Sequence, residues 1–281
     1  VMTVGAFAPE MVDRRLQDLI DMAPKDGVVE IPSGTYGPAT VSEGKGKLTL
    51  RPEQGAEVTI DGFGLFRCLT VKAGGVTLKG LTFAKGWADD DGGGYCGVPG
   101  NGATLKGCTV TGCMAPGAHG GGVYGADVVI GSKIIGNGAG TNGGGVSQVG
   151  AVLCSLFEGN VAAGGAAAYN SGLSSCTLVS NSGGEAVSGV DASARYSVFV
   201  GNAAAAGTGN LATNMDFFVA GTWQPTPAAV IENLVDDAEY IAAAADWMGP
   251  DGRELVITAG GEKVMTVGAF APEMVDRRLQ D

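Results

Sequence analysis

Six short segments of the chain share one template: LTFAKG (81–86), CTVTGC (108–113), SKIIGN (132–137), SLFEGN (155–160), CTLVSN (176–181) and SVFVGN (197–202). Their final residues, Gly86, Cys113, Asn137, Asn160, Asn181 and Asn202, are 27, 24, 23, 21 and 21 residues apart. A period of that size marks a repeat architecture, in which each unit buries its apolar side only by stacking on its neighbours. The third template residue is always bulky and apolar (Phe83, Val110, Ile134, Phe157, Leu178, Phe199), and the first is leucine, cysteine or serine. Alternate residues of a strand face the same side, so both columns are expected to point inward. The last column is Asn137, Asn160, Asn181 and Asn202 in four coils. It is expected at the turn, where asparagine tolerates left-handed backbone, and stacked asparagines can bond from coil to coil.

A second punctuation follows each template: GGGY (92–95), GGGV (120–123), GGGV (143–146), GGAAA (164–168) and GGEAV (183–187). Glycine permits tight corners and close approach of backbone to backbone. Short strands at steady spacing, with glycine corners and no alternating helices, predict an all-β fold, a parallel β-helix or solenoid. The composition agrees: 50 glycines without a three-residue period exclude collagen, while 45% hydrophobic against 16% charged residues excludes a disordered or coiled-coil chain.

Upstream, PEMVDRRLQDLIDMA sets Val12, Leu16, Leu19 and Ala23 on one helical face, with Pro9 in the first turn. Strands are expected within DGVVEIPSGTY (26–36), at KLTL (47–50), EVTI (57–60) and CLTV (68–71), and along GVTLKGLTF (75–83). Residues 212–263 leave the template and read as a mixed cap, with a short helix near 229–245 and a strand at ELVIT (254–258).

The first eighteen residues, Val1 to Asp18, recur unchanged as Val264 to Asp281, a period of 263 residues. The expected organisation is a closing strand of a preceding unit (1–8), a capping helix (9–25), the β-helix (26–211), a C-terminal cap (212–263) and the start of the next repeat (264–281). Solenoid ends expose pairing edges that need covering. The duplicated stretch therefore reads as a unit junction, formed by Val4, Phe7, Val12, Leu16, Leu19, Val267, Phe270, Val275 and Leu279.

The coils together with Leu16–Tyr36, whose helix leads into a strand and a Pro-x-Gly-x-Tyr turn, resemble the right-handed parallel β-helix, or pectate-lyase-like, superfamily. The likeness is to its bacterial surface and secreted branch with repeats like those of polymorphic outer membrane proteins. TVGAFAPE, at Thr3–Glu10 and again at Thr266–Glu273, is similar to an ending common in those proteins. The resemblance covers about 200 residues of the chain and implies a fold more strongly than a chemistry.

Polysaccharide lyases of that superfamily use acidic Ca²⁺ ligands with an Arg or Lys base. Asp89, Asp90 and Asp91 are the candidate calcium ligands here, since adjacent carboxylates supply hard oxygen donors, although a solvated loop explains them too. Polygalacturonase-like hydrolases carry Asp-Asp, then Gly-His-Gly, then Arg-Ile-Lys. Asp90 and Asp91 do precede GAHG with His119, the only histidine, but the first Asn-Thr-Asp and the basic clamp are missing. His119 then reads as a polar loop residue. Lys106, Lys133 and Arg195 are placed in different columns, and Trp87, Tyr95, Tyr124 and Tyr169 are the rings available to stack on sugars, Tyr124 and Tyr169 two coils apart.

A net charge of -12 argues against nucleic acid as a partner. No apolar run reaches the roughly 20 residues of a membrane span. Cys68, Cys96, Cys108, Cys113, Cys154 and Cys176 lack metal-pair spacing and read as buried small side chains, with one disulfide involving Cys96, Cys108 or Cys113 as the alternative. The sequence-level expectation is a non-enzymatic structural repeat unit of an extracellular or cell-surface filament, partnered head to tail by copies of itself, with no cofactor beyond calcium. The alternative is a carbohydrate-binding adhesin module or a polysaccharide lyase or hydrolase.

Overall fold

The structure is a computed structural model that describes residues 14–195, 197–200 and 202–206, and the backbone of four further strands at 216–219, 222–224, 255–259 and 262–267. Each coil runs through three or four short strands, which pair in parallel with their counterparts in the adjacent coils. The result is an eight-stranded first sheet, a second sheet of ten strands, a four-stranded short sheet and an eight-stranded third sheet. We number coils by the strands of the first sheet. This is the parallel β-helix that the repeat predicts.

The six template segments are successive strands of the second sheet, with Phe83, Val110, Ile134, Phe157, Leu178 and Phe199 in one unbroken register column. Phe83, Val110, Ile134, Phe157 and Leu178 are fully buried, as are Leu81, Ser132 and Cys176 from the first template position. In that second column the donors run between coils: the Cys108, Ser132 and Cys176 amides donate to the Ser132, Ser155 and Ser197 hydroxyls.

The turn after each template differs from expectation by one residue. Left-handed backbone falls on Lys85, Gly112, Gly136, Gly159 and Ser180, just before the asparagine column, and none of Asn137, Asn160 and Asn181 has positive φ. The asparagines point into the core instead. Asn137 Nδ2 donates to Asn160 Oδ1 (3.0 Å), Asn160 Nδ2 to Asn181 Oδ1 (2.9 Å) and Asn181 Nδ2 to Asn202 Oδ1 (2.8 Å). The second proton of each amide satisfies a strand carbonyl in the template one row below: Val110, Ile134, Phe157 and Leu178 in turn. Cys113 takes the column's place one coil earlier, accepting from the Gly86 amide at 3.3 Å. A second correction concerns GVTLKGLTF, which is two strands, Thr77–Lys79 and Thr82–Ala84, separated by a left-handed Gly80.

A helix at Arg15–Met22 covers the first coil, burying Leu16 and Ile20, with Leu19 and Ala23 partly buried. The Gln17 side chain acts like a strand: its Oε1 accepts from the Thr40 amide (2.7 Å) and its Nε2 donates to the Thr40 carbonyl (3.1 Å), which blocks that edge. The Lys45 ammonium donates to the Asp21 and Ala23 carbonyls at the helix C-terminus.

At the other end, Asp216–Val219 extends the second sheet in parallel from Val198–Val200 and is followed by an antiparallel strand, Thr222–Gln224. Leu255–Ala259 pairs antiparallel with Glu262–Val267, so Val267 ends a hairpin strand. Val4, Phe7, Val12, Phe270, Val275, Leu279 and the expected helix near 229–245 lie outside the described residues. No described helix is long and apolar enough to cross a membrane.

Candidate functional site

The connection from the short sheet to the third sheet shortens along the stack: residues 116–122 in the fourth coil, 140–145 in the fifth, 163–167 in the sixth and Gly184 alone in the seventh. The long excursions carry His119 and Thr141 over the outer face of the third sheet, beside Tyr169, and this face is the candidate groove. Two glycine properties make them fit. Gly120 takes φ +65, and a Cβ on Gly121 would sit 2.1 Å from the Gly138 carbonyl oxygen, so the loop backbone rests directly on the next coil.

The groove floor is the outward column of the third sheet, Cys96, Tyr124, Ser147 and Tyr169, on four successive coils. The two tyrosines are therefore two coils apart, as expected, at about 10 Å given the strand spacing. His119 descends from its loop and stacks on Tyr169 (ring centroids 5.9 Å apart, planes 13° apart). Ser147, on the coil between the tyrosines, is fully buried, and its hydroxyl has no hydrogen-bond partner. Tyr95, by contrast, faces inward and is fully buried, so it is not a groove residue.

Hydrogen bonding fixes the His119 tautomer. Thr141 donates its hydroxyl proton to the Ala118 carbonyl at 2.6 Å, so its oxygen can only accept from His119 Nδ1, at 3.0 Å. Nδ1 carries the proton, and in the neutral ring Nε2 is left as an acceptor. The His119 backbone amide donates to Asp91 Oδ1 (2.9 Å). Partial burial first, and then the charge of Asp91, push the Tyr124 phenol up, and the same carboxylate takes its hydroxyl proton as a hydrogen-bond partner. Burial also raises the Cys96 thiol, with the Arg67 charge opposing it.

Arg67, which the sequence reading did not single out, closes the lower end. Its Nε donates to the Gly92 carbonyl (2.8 Å) and its Nη2 to the Asp91 carbonyl (2.8 Å) and the Asp90 carboxylate. Arg67 lies 23 residues before Asp90, about one coil, and that spacing was the available signal. The Asp89–Asp91 loop is thus an anchored strap. Asp90 answers Arg67, Asp91 answers the His119 amide, and among the described residues no three His, Cys, Asp or Glu side chains converge as a metal ligand set.

Lys106 and Arg195 do share a register column in the first sheet, four coils apart and with Lys79 directly below Lys106, whereas Lys133 lies in the second sheet. The expectation of three different columns fails because the corner residues between strands vary in number. All six cysteines are free thiols, and all but Cys96 are buried.

Fold and groove together define a parallel β-helix with an aromatic and polar cleft on one face. No family model matches the chain, and no curated protein matches it. Among solved structures it is similar to an alginate lyase, AlyF-OU02, in complex with G6, at 14% identity and a TM-score of 0.37, covering 76% of this chain. The chain spans 63% of that protein's length.

Proposed function

We propose that this chain is an extracellular polysaccharide-binding β-helix that holds a glycan in the groove over the third sheet. The observation that carries the reading is the His119–Tyr169 stack above an unpaired, buried Ser147 hydroxyl, with Tyr124 two coils from Tyr169. Rings with a polar tip match a sugar, whose faces are partly apolar and whose rim is all hydroxyls. His119 Nε2 accepts from a sugar hydroxyl. Affinity electrophoresis against alginate, polygalacturonate, xylan and a soluble cellulose ether tests this. Tyr169→Ala and His119→Ala should each weaken retardation by roughly ten-fold, the scale of one lost stacking contact. Unchanged mobility of both variants on every polymer overturns the proposal. Ultraviolet absorbance of an unsaturated product, followed in the same mixtures, separates a lyase from a pure binder.

A second reading keeps the tandem filament, because the duplicated segment includes the last four residues of the strand Glu262–Val267 and, in its first copy, the start of the helix that buries Leu16 against the first coil. Electron micrographs of the full-length gene product decide it: a regular axial repeat supports the filament, and isolated particles oppose it.

A further inference from the structure

The outer face of the short sheet carries a second feature that the groove does not use. Phe66, Trp87, Met114 and Val161 are exposed to 37%, 37%, 36% and 48%. They belong to one ladder: the Trp87 amide donates to the Phe66 carbonyl, Trp87 bridges Met114, Met114 pairs with Gly138 and Gly138 with Val161. The one gap is covered, because a Cβ on Gly138 would meet Met114 Sδ and Cε at 2.8 Å, so the methionine lies across that coil. Phe63 and Leu65, half exposed, widen the lower end. Five successive coils thus present a continuous apolar strip about 19 Å long.

We propose that this strip is a docking track for a linear, uncharged glycan, separate from the groove. The inference takes its ligand class from the polysaccharide reading above. Three observations choose the occupant. One side chain wide over most of its length, the strip offers on the order of 500 Å² with Phe63 and Leu65 included, short of the roughly 800 Å² per partner of a stable protein–protein interface. An extended peptide binds a sheet through a free edge, but here the strand backbones are already paired with the coils on both sides. None of the strip's residues is charged, its neighbours Lys85 and Asp61 answer one another, and the chain carries a net charge of -12, which repels a polyanion. A sugar strand needs only its C–H faces covered, and Trp87 and Phe66 provide flat apolar surface for that.

Hydroxyl-radical footprinting of the full chain, read by mass spectrometry at Trp87 and Met114, tests the track. The probes are cellohexaose, xylohexaose and mannohexaose, with an alginate hexasaccharide and decaproline as counter-probes. At least one neutral hexasaccharide should protect both residues. Trp87→Ala should weaken its binding roughly ten-fold, and Val161→Lys should abolish protection of Met114. His119→Ala should leave Trp87 protection unchanged, which keeps a failure of the groove distinct from a failure of the track. The proposal is overturned if no neutral probe protects, or if alginate or decaproline protects equally well. It is also overturned if both residues are already protected in the free chain, which would place another segment of the chain there, or if protection rises with protein concentration, which would place a second copy there.

Discussion

The third to fifth coils and the sixth to eighth are built on the same ladders yet differ in what they carry. In the earlier group the connection into the third sheet is long, runs on consecutive glycines, ties the His119 amide to Asp91 and sends the His119 ring across to Tyr169 of the sixth coil. In the later group it shrinks to Gly184, and the glycines give way: Ala166 and Ala167 align with Gly144 and Gly145, since Val146 pairs with Ala168. The asparagine column runs through both, from Asn137 to Asn202. Strand stacking holds the rungs wherever the loop is long or short, so the loop is free to vary. Chemistry collects where the loop is longest.

The comparison breaks most severely in the shared ladder. Asn160→Ala leaves the Asn137 amide and side-chain donors, the Ile134 carbonyl and one lone pair of Asn181 without partners. Buried groups left unpaired cost about 1–3 kcal/mol each, so urea unfolding should show a loss of roughly 3–5 kcal/mol. A smaller effect separates the two regions. Gly121→Ala drives a Cβ into the Gly138 carbonyl and should cost about 1–3 kcal/mol, whereas the reverse change at the later position, Ala166→Gly, should cost about 1 kcal/mol or less. Equal losses at the two positions would remove the distinction drawn between the loops.

Alkali probes one buried thiol in each region. Burial pushes Cys108 and Cys176 up from 9.0 to about 12. An acid whose folded pKa is raised holds its proton longer in the folded state, so its contribution is complete below pH 9.0 and is lost as pH rises through about 12. Each thiol should steepen the fall in stability by up to about 1.4 kcal/mol per pH unit in that window. Cys108→Ser and Cys176→Ser should each remove one share of the slope, and serine already occupies the same column at Ser132 and Ser155. Least disruptive is Thr141→Val, which frees the His119 ring at a cost near 1 kcal/mol. Calorimetry should show a nearly unchanged melting temperature with weakened polysaccharide binding, whereas full retention of binding would deny His119 its oriented role.

The inward columns were legible because the same residue class returns at the same template position in every coil. The groove was only partly so. Tyr124 and Tyr169 follow from register, and His119 was seen but read as a loop residue, since nothing local says that its ring will meet Thr141 and Tyr169, 22 and 50 residues onward. Arg67 escaped notice because it belongs to no template column, although it lies about one coil before Asp90. Placing the left-handed turn on the asparagines was a plausible error, as glycine and asparagine both suit that backbone. The choice between them depends on which side chain finds a partner inside the stack.

By itself, the order of residues determined a stacked parallel architecture, its two inward columns and its glycine corners, because those are properties each coil repeats and each can satisfy only against its neighbours. Tertiary structure decided which loop residues meet above the third sheet, which carboxylates are spent on Arg67 and on an amide, and that Phe66, Trp87, Met114 and Val161 form one strip. Those encounters depend on loops of unequal length being brought to a common height by the rungs beneath them, and only the assembled stack sets that height.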